Sequence, residues 1–186
     1  MTLMAIVLIA AGGGGYLWFR MAGAPEAVSA LQQDGQTAAP AVRPDEPFMA
    51  ALFFPGDGVL GTAVVAVRRH PEVQLQAREA IAALLAADQA KQSSVLKELR
   101  LRALYVDASW TAMVDLSAAS PNQNEIRASA EDELLAVYAL VNTLTQNFPE
   151  VRQVRFLMDG REAQTLAGHI DLSRAFVKRT DLVKTP

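Results

Sequence analysis

Apolar side chains recur along this chain in three different rhythms, and each predicts a different kind of element. Residues 1–19 carry no charged side chain at all. At about 1.5 Å per residue a helix of that length spans roughly 29 Å, close to the hydrocarbon thickness of a bilayer. Tyr16, Trp18, Phe19 and Arg20 follow where interfacial aromatics and a snorkelling cation belong, so residues 1–20 read as a transmembrane anchor. Residues 21–47 are rich in Ala, Gln, Pro and Asp and show no sustained period. Such a stretch buries too little apolar surface to offset the entropy of ordering, so it reads as a disordered linker with a reach of roughly 30 Å.

Beyond Phe48 the pattern is that of a folded domain, expected over residues 48–177 with a tail at 178–186. Met49–Phe54 and Thr62–Arg68 are apolar and β-branched runs flanking Pro55-Gly56-Asp57-Gly58, which predicts a hairpin. Pro71 and Glu72 suit the start of a helix, and Val73, Ala77, Ala80, Ile81 and Leu84 give it one apolar stripe ending near Ala87. Leu99–Val106 and Thr111–Leu116 form a second strand pair about Asp107-Ala108-Ser109. Within it Ala112, Val114 and Leu116 share one face and Thr111, Met113 and Asp115 the other.

A second helix is marked by Leu134, Val137, Tyr138, Val141, Leu144, Thr145 and Phe148 at intervals of three and four. Ser129 with Asp132 offers a capped start, with Ser120 and Gln123 as a rival, and Pro149 stops the helix. Val154, Phe156 and Met158 then alternate, Asp159-Gly160 is a two-residue turn signal, and Glu162–Leu166 is expected to return as the partner strand. The order ββ-α-ββ-α-ββ predicts an α+β fold with two helices packed on one face of a mainly antiparallel sheet.

Composition narrows the function mainly by exclusion. A net charge of -3 and a sequence pI of 5.4 leave no basic footprint for nucleic acid. The absence of cysteine excludes disulfides, thiolate metal sites and cysteine nucleophiles, and with them a lipid-modified cysteine. The anchor has a competing reading as a cleaved signal peptide cut near Ala22-Gly23-Ala24. Pro25 directly after that site and the missing basic start favour retention.

Gly56-Asp57-Gly58-Val59-Leu60-Gly61 has the spacing of a dinucleotide fingerprint, but its last glycine opens a strand-like run instead of the helix whose amides would hold a pyrophosphate. His169 and Asp171, with Asp115 and Asp159 near them, are the candidate functional residues. A metal or acid-base group is one reading of them. The plainer one is that His169 and Asp171 fix a turn by hydrogen bonds to backbone. Arg68-Arg69-His70 reads as a solvated strand end before it reads as a contact for an anionic polymer. No cofactor and no metal are expected.

Val114-Asp115-Leu116-Ser117, Thr143-Leu144-Thr145, Phe148-Pro149, Val154, Asp159-Gly160 and Gly168-His169-Ile170-Asp171-Leu172-Ser173 together resemble the GerMN domain of sporulation and germination proteins, over about residues 47–176. After the first helix the chain reads Leu85-Ala86-Ala87-Asp88-Gln89-Ala90 where relatives often carry a Leu-x-x-Gly-Pro turn. The resemblance implies one copy of a non-catalytic module of the bacterial cell envelope, tethered to the cytoplasmic membrane by a single pass with its domain on the extracytoplasmic, periplasmic side. Its expected partners are the membrane, through the N-terminal helix, and an envelope protein or peptidoglycan. Two alternatives stand beside this. One is a hydrolase of peptidoglycan or a related polysaccharide using Asp115, Asp159 or Asp171, which needs two carboxylates about 5 to 9.5 Å apart. The other is a self-assembling homo-oligomer acting as a ring or scaffold.

Overall fold

The computed structural model describes residues 46–91, 95–120 and 126–184. The expected anchor at 1–20, and the linker up to residue 45, lie outside the described residues. Among those described, no helix is long and apolar enough to cross a membrane.

Strands β1 (Phe48–Pro55) and β2 (Leu60–Val67) form an antiparallel two-stranded sheet, with Phe48 opposite Val67 and Pro55 opposite Leu60. Helix α1 (Val73–Lys91) follows, then a 3-10 turn at Leu96–Glu98. A second sheet has the order β3-β4-β5-β6, built from β3 (Leu99–Val106), β4 (Thr111–Ala118), β5 (Gln153–Met158) and β6 (Arg161–Glu162), with helix α2 (Ala130–Asn147) between β4 and β5.

The α+β class and the two helices are as the hydrophobic pattern predicts. The pairing is mainly antiparallel as expected, but the strands divide into two sheets instead of one, and β4 and β5 run parallel, Thr111 beside Gln153 and Leu116 beside Met158. The reason is the connection. Two neighbouring strands joined by a helical crossover must point the same way, whereas tight turns force β1-β2, β3-β4 and β5-β6 to be antiparallel. The helices likewise do not share one partner sheet. α2 packs on β1 and β5, α1 packs on β3 and β1, and the two helices touch.

α2 is the centre of the molecule. Its start is set by Ser129, whose hydroxyl accepts from the Asp132 amide at 3.1 Å and donates to the Asp132 carboxylate at 2.9 Å, with acidic Glu131, Asp132 and Glu133 in the first turn. Every residue from Leu135 to Leu144 is buried. The stripe legible in the sequence is therefore only half of its contact surface, because α2 also runs along the open edge of β1. There Asn147 accepts from the Ala51 amide at 2.8 Å and donates to the Ala51 carbonyl at 2.7 Å, and the Thr143 hydroxyl accepts from the Phe53 amide at 3.1 Å. Two helix side chains thus take the place of a neighbouring strand and satisfy backbone groups that would otherwise be buried unpaired.

The return strand is shorter than expected. β6 holds only Arg161 and Glu162, because the chain from Thr165 onward leaves the ladder to bind the carboxylate of Glu133. The end of the described chain is also bound in. Leu60 donates to the Leu182 carbonyl at 2.7 Å and accepts from the Lys184 amide at 2.9 Å, while buried Asn142 exchanges two hydrogen bonds with the Arg179 backbone at 2.7 and 3.0 Å.

Candidate functional site

The turn between β5 and β6 is built by two residues of positive φ, Asp159 at 52° and Gly160 at 77°, the pairing that a type I′ hairpin requires. Asp115 locks it from the neighbouring strand. Its buried carboxylate accepts from the Gly160 amide at 2.9 Å and from Arg102 at 3.1 Å. Two of the three candidate carboxylates, Asp115 and Asp159, are therefore not equivalent. Asp115 is spent on the frame, and Asp159 stands exposed on the turn that Asp115 holds.

Glu133 organises the segment that follows. It has no exposed surface, and its carboxylate accepts from the Thr165 hydroxyl at 2.6 Å and from the amides of Leu166, Ala167 and His169 at 2.8, 2.9 and 2.8 Å. Burial pushes its pKa up most strongly among the single influences, but these four donors together outweigh it and hold the carboxyl below the usual glutamate range. Gly168 serves the same loop at a φ of 98°, its amide donating to the Thr165 hydroxyl at 2.7 Å. Glu133 is not among the residues that the sequence singled out. A signal was there, since it lies four residues before Val137 and eight before Val141, on the apolar stripe itself.

His169 and Asp171 do what the plainer reading of them required. The exposed His169 ring lies with Nε2 3.1 Å from the Ala128 carbonyl, tying the loop to the residue before the α2 cap. Asp171 accepts from the Ser173 amide at 3.0 Å and the Ser173 hydroxyl at 2.7 Å, and these bonds hold its pKa below the usual aspartate range. Among the described residues no group of three or more acidic or His side chains is placed to hold a metal ion.

Between the Asp159-Gly160 turn, residues 126–128 and the 165–169 loop lies an open groove of about 740 Å³. Arg127, Asp159 and His169 supply its polar rim, and Ala118, Ile126 and Met158 its apolar floor. His169 also borders a second depression of about 450 Å³ shared with Asp171 and Ser173. The fold thus brings Asp159 and His169 to one groove, sets Asp171 beyond His169, and leaves Asp115 behind the turn.

The other sequence features have structural roles. Gly56 to Gly61 is the β1-β2 loop and the start of β2, with Gly58 at a φ of 73° and no helix after it. Arg69 donates to the carbonyls of Glu46 and Pro47 at 2.9 and 3.2 Å and lies over the Phe48 ring, while His70 is 3.7 Å from Glu79.

Comparison with known proteins agrees with this architecture. The family model described as "Germane: Sporulation and spore germination" matches residues 51–164. The first GerMN domain of the sporulation protein GerM from Bacillus subtilis is similar at 18% identity and a TM-score of 0.51, over 72% of this chain and 99% of that one. The tandem GerMN domains of the same protein are similar at 17% identity and a TM-score of 0.51, over 73% of this chain, which spans only 48% of the tandem. A candidate lipoprotein from Clostridium perfringens matches at 19% identity and a TM-score of 0.49, over 72% of this chain and 89% of that one. Among curated protein sequences no match is found. At these identities the structural likeness is one of fold, but the family model covers well over half of the sequence, and the chain belongs to the Germane family of sporulation and spore germination domains.

Proposed function

We propose that this chain is a membrane-anchored, non-catalytic interaction domain of the bacterial cell envelope, carried on the extracytoplasmic side by its N-terminal segment, and that the groove over the Asp159-Gly160 turn binds its partner, an envelope protein or peptidoglycan. The observation that carries the reading is the way the groove is held. Buried Glu133 fixes one wall through four hydrogen bonds and buried Asp115 fixes the other through the Gly160 amide, so the rim residues are presented on a rigid frame. A preorganised surface loses little freedom on binding. The same hydrogen bonds commit Asp115 and Asp171 to the backbone, which leaves Asp159 as the carboxylate that opens onto the groove.

Two measurements test this. A reporter fused after Pro186 is expected to be active outside the cytoplasmic membrane, and a cytoplasmic signal sinks the envelope assignment. Purified sacculi and envelope extract are expected to retain the full chain, and Arg127→Ala with Asp159→Asn is expected to weaken retention about tenfold without moving the denaturant midpoint. Unchanged retention by that double variant removes the groove from the proposal.

A further inference from the structure

Successive residues of a strand aim their amide and carbonyl groups at opposite edges. Leu60 makes both of its bonds to residues 182–184, on the side away from β1, so Thr62, Val64 and Ala66 aim their backbone groups to that same side. The matching outer edge of β1 is covered, since Ala51 and Phe53 are bonded to α2. Beyond Leu60, among the described residues, the edge groups of Thr62, Val64 and Ala66 on the outer side of β2 have no partner.

Natural sheet edges are ordinarily guarded by charge, proline or a bulge. Thr62-Ala63-Val64-Val65-Ala66-Val67 carries no charge and no proline, and its register with β1 runs unbroken. Its outward side chains are uncharged and open to solvent, Val64 at 63% and the neighbouring Met49 at 57% exposed. The chain end closes this edge at Leu60 and the strand stops at Val67, which leaves an open segment centred on Val64.

We infer that this edge pairs antiparallel with the same edge of a second copy about a two-fold axis at Val64, making one four-stranded sheet from two β1-β2 hairpins. The segment is its own complement. Val64 meets Val64 and Thr62 meets Ala66, none of them charged. A ladder of this length buries less than the roughly 800 Å² per partner of a standard stable interface. Its pairing therefore depends on concentration, and tethering both copies to one membrane supplies it. In that respect the inference rests on the anchored reading above.

The absence of native cysteine makes the register directly readable in the full chain, in its own membrane. With a hydrogen-bonded antiparallel pair about 5.5 Å apart at Cα, Val64→Cys is expected to cross-link to itself on mild oxidation. Thr62→Cys alone is not, because its own counterpart lies about 13 Å away along the partner strand. Thr62→Cys together with Ala66→Cys restores the cross-link. Adding Thr62→Lys and Ala66→Lys to Val64→Cys sets like charges opposite one another and is expected to reduce the dimer at least about fivefold. Absence of the Val64→Cys dimer, equal cross-linking at positions 62 and 64, or an adduct with a different protein overturns the inference. Labelling of Thr62→Cys by a membrane-impermeant thiol reagent reports the side of the membrane separately. A labelled chain that fails to dimerise refutes the pairing alone, and an unlabelled one refutes the extracytoplasmic reading.

Discussion

At the scale of single residues, the positive φ angles of Asp159, Gly160 and Trp110 decide local geometry. Asp159 and Gly160 share one turn, but only Gly160 adopts a φ of 77° without a side-chain penalty. Gly160→Val is therefore expected to destabilise the domain by about 1 to 3 kcal/mol in denaturant titration, whereas Asp159→Asn, equally suited to the turn, stays within about 0.5 kcal/mol of the parent. Trp110 is the unexpected case. It ends the β3-β4 turn at a φ of 61°, with its amide on the Asp107 carbonyl at 3.0 Å and its carbonyl accepting from the Arg152 amide at 2.9 Å. Glycine ordinarily takes such a bulge position. Replacing Trp110 by alanine loses the side chain and keeps the strain, while replacing it by glycine loses the side chain and relieves the strain. The glycine variant should be the more stable of the two by about 1 kcal/mol, and equal midpoints would mean that no strain is held there. Asp159-Gly160 was legible because its residues announce the conformation they adopt. Trp110 was not, because nothing in an indole predicts a left-handed backbone.

At the scale of elements, α2 and the 165–169 loop show what periodicity reveals and what it misses. The three-and-four spacing located the helix and one of its faces, and Ser129 located its start. It could not show that Thr143 and Asn147 would act as a strand edge for β1, since a polar residue on an amphipathic helix reads as solvated until its neighbour is known. The same holds for Glu133, whose donors are more than thirty residues away in the chain. Its removal is expected to be severe. Glu133→Ala strands three backbone amides and a hydroxyl and should cost about 3 to 5 kcal/mol, with Glu133→Gln intermediate because an amide oxygen accepts more weakly than a carboxylate. The pH dependence has a definite sign. The folded-state pKa lies below that of the unfolded chain, so this contribution is complete above the ordinary glutamate pKa and is lost as pH falls through the folded value. Midpoints measured downward from pH 6 should therefore fall more steeply for the parent than for Glu133→Gln. Parallel curves would show that the folded-state pKa of Glu133 does not lie below the unfolded value.

At the scale of the whole molecule, the α+β class and the order of elements were legible in the sequence, and the division into two sheets was not. Pattern gives the strands but not their neighbours. β1-β2 is separated from β3-β4 by α1 in the chain, and α2 packs on both β1 and β5 and occupies the outer edge of β1. The chain end makes the same point. Leu182, Val183 and Lys184 show no period, yet they lie against Leu60 of β2, and Arg179 is held by buried Asn142 and stacks over the Tyr138 ring, which meets Phe176 edge-on. Residues 46–184 carry all of these contacts together with the core, so a fragment of residues 46–186 is expected to be soluble and to unfold in one cooperative transition. Ending that fragment at Val177 instead removes both Leu60 bonds, leaves the Asn142 amide buried without its two partners, and uncovers Phe53 beside Val183. One stranded buried amide and the loss of apolar cover together amount to about 2 to 4 kcal/mol. Asn142→Leu in the shortened fragment removes the unsatisfied group without restoring the chain end, and should recover about 1 to 2 kcal/mol of that loss. The same substitution in residues 46–186 should instead be destabilising, because there the amide is paired. If Asn142→Leu acts in the same direction in both fragments, the chain end is not held by Asn142 and the domain closes without it.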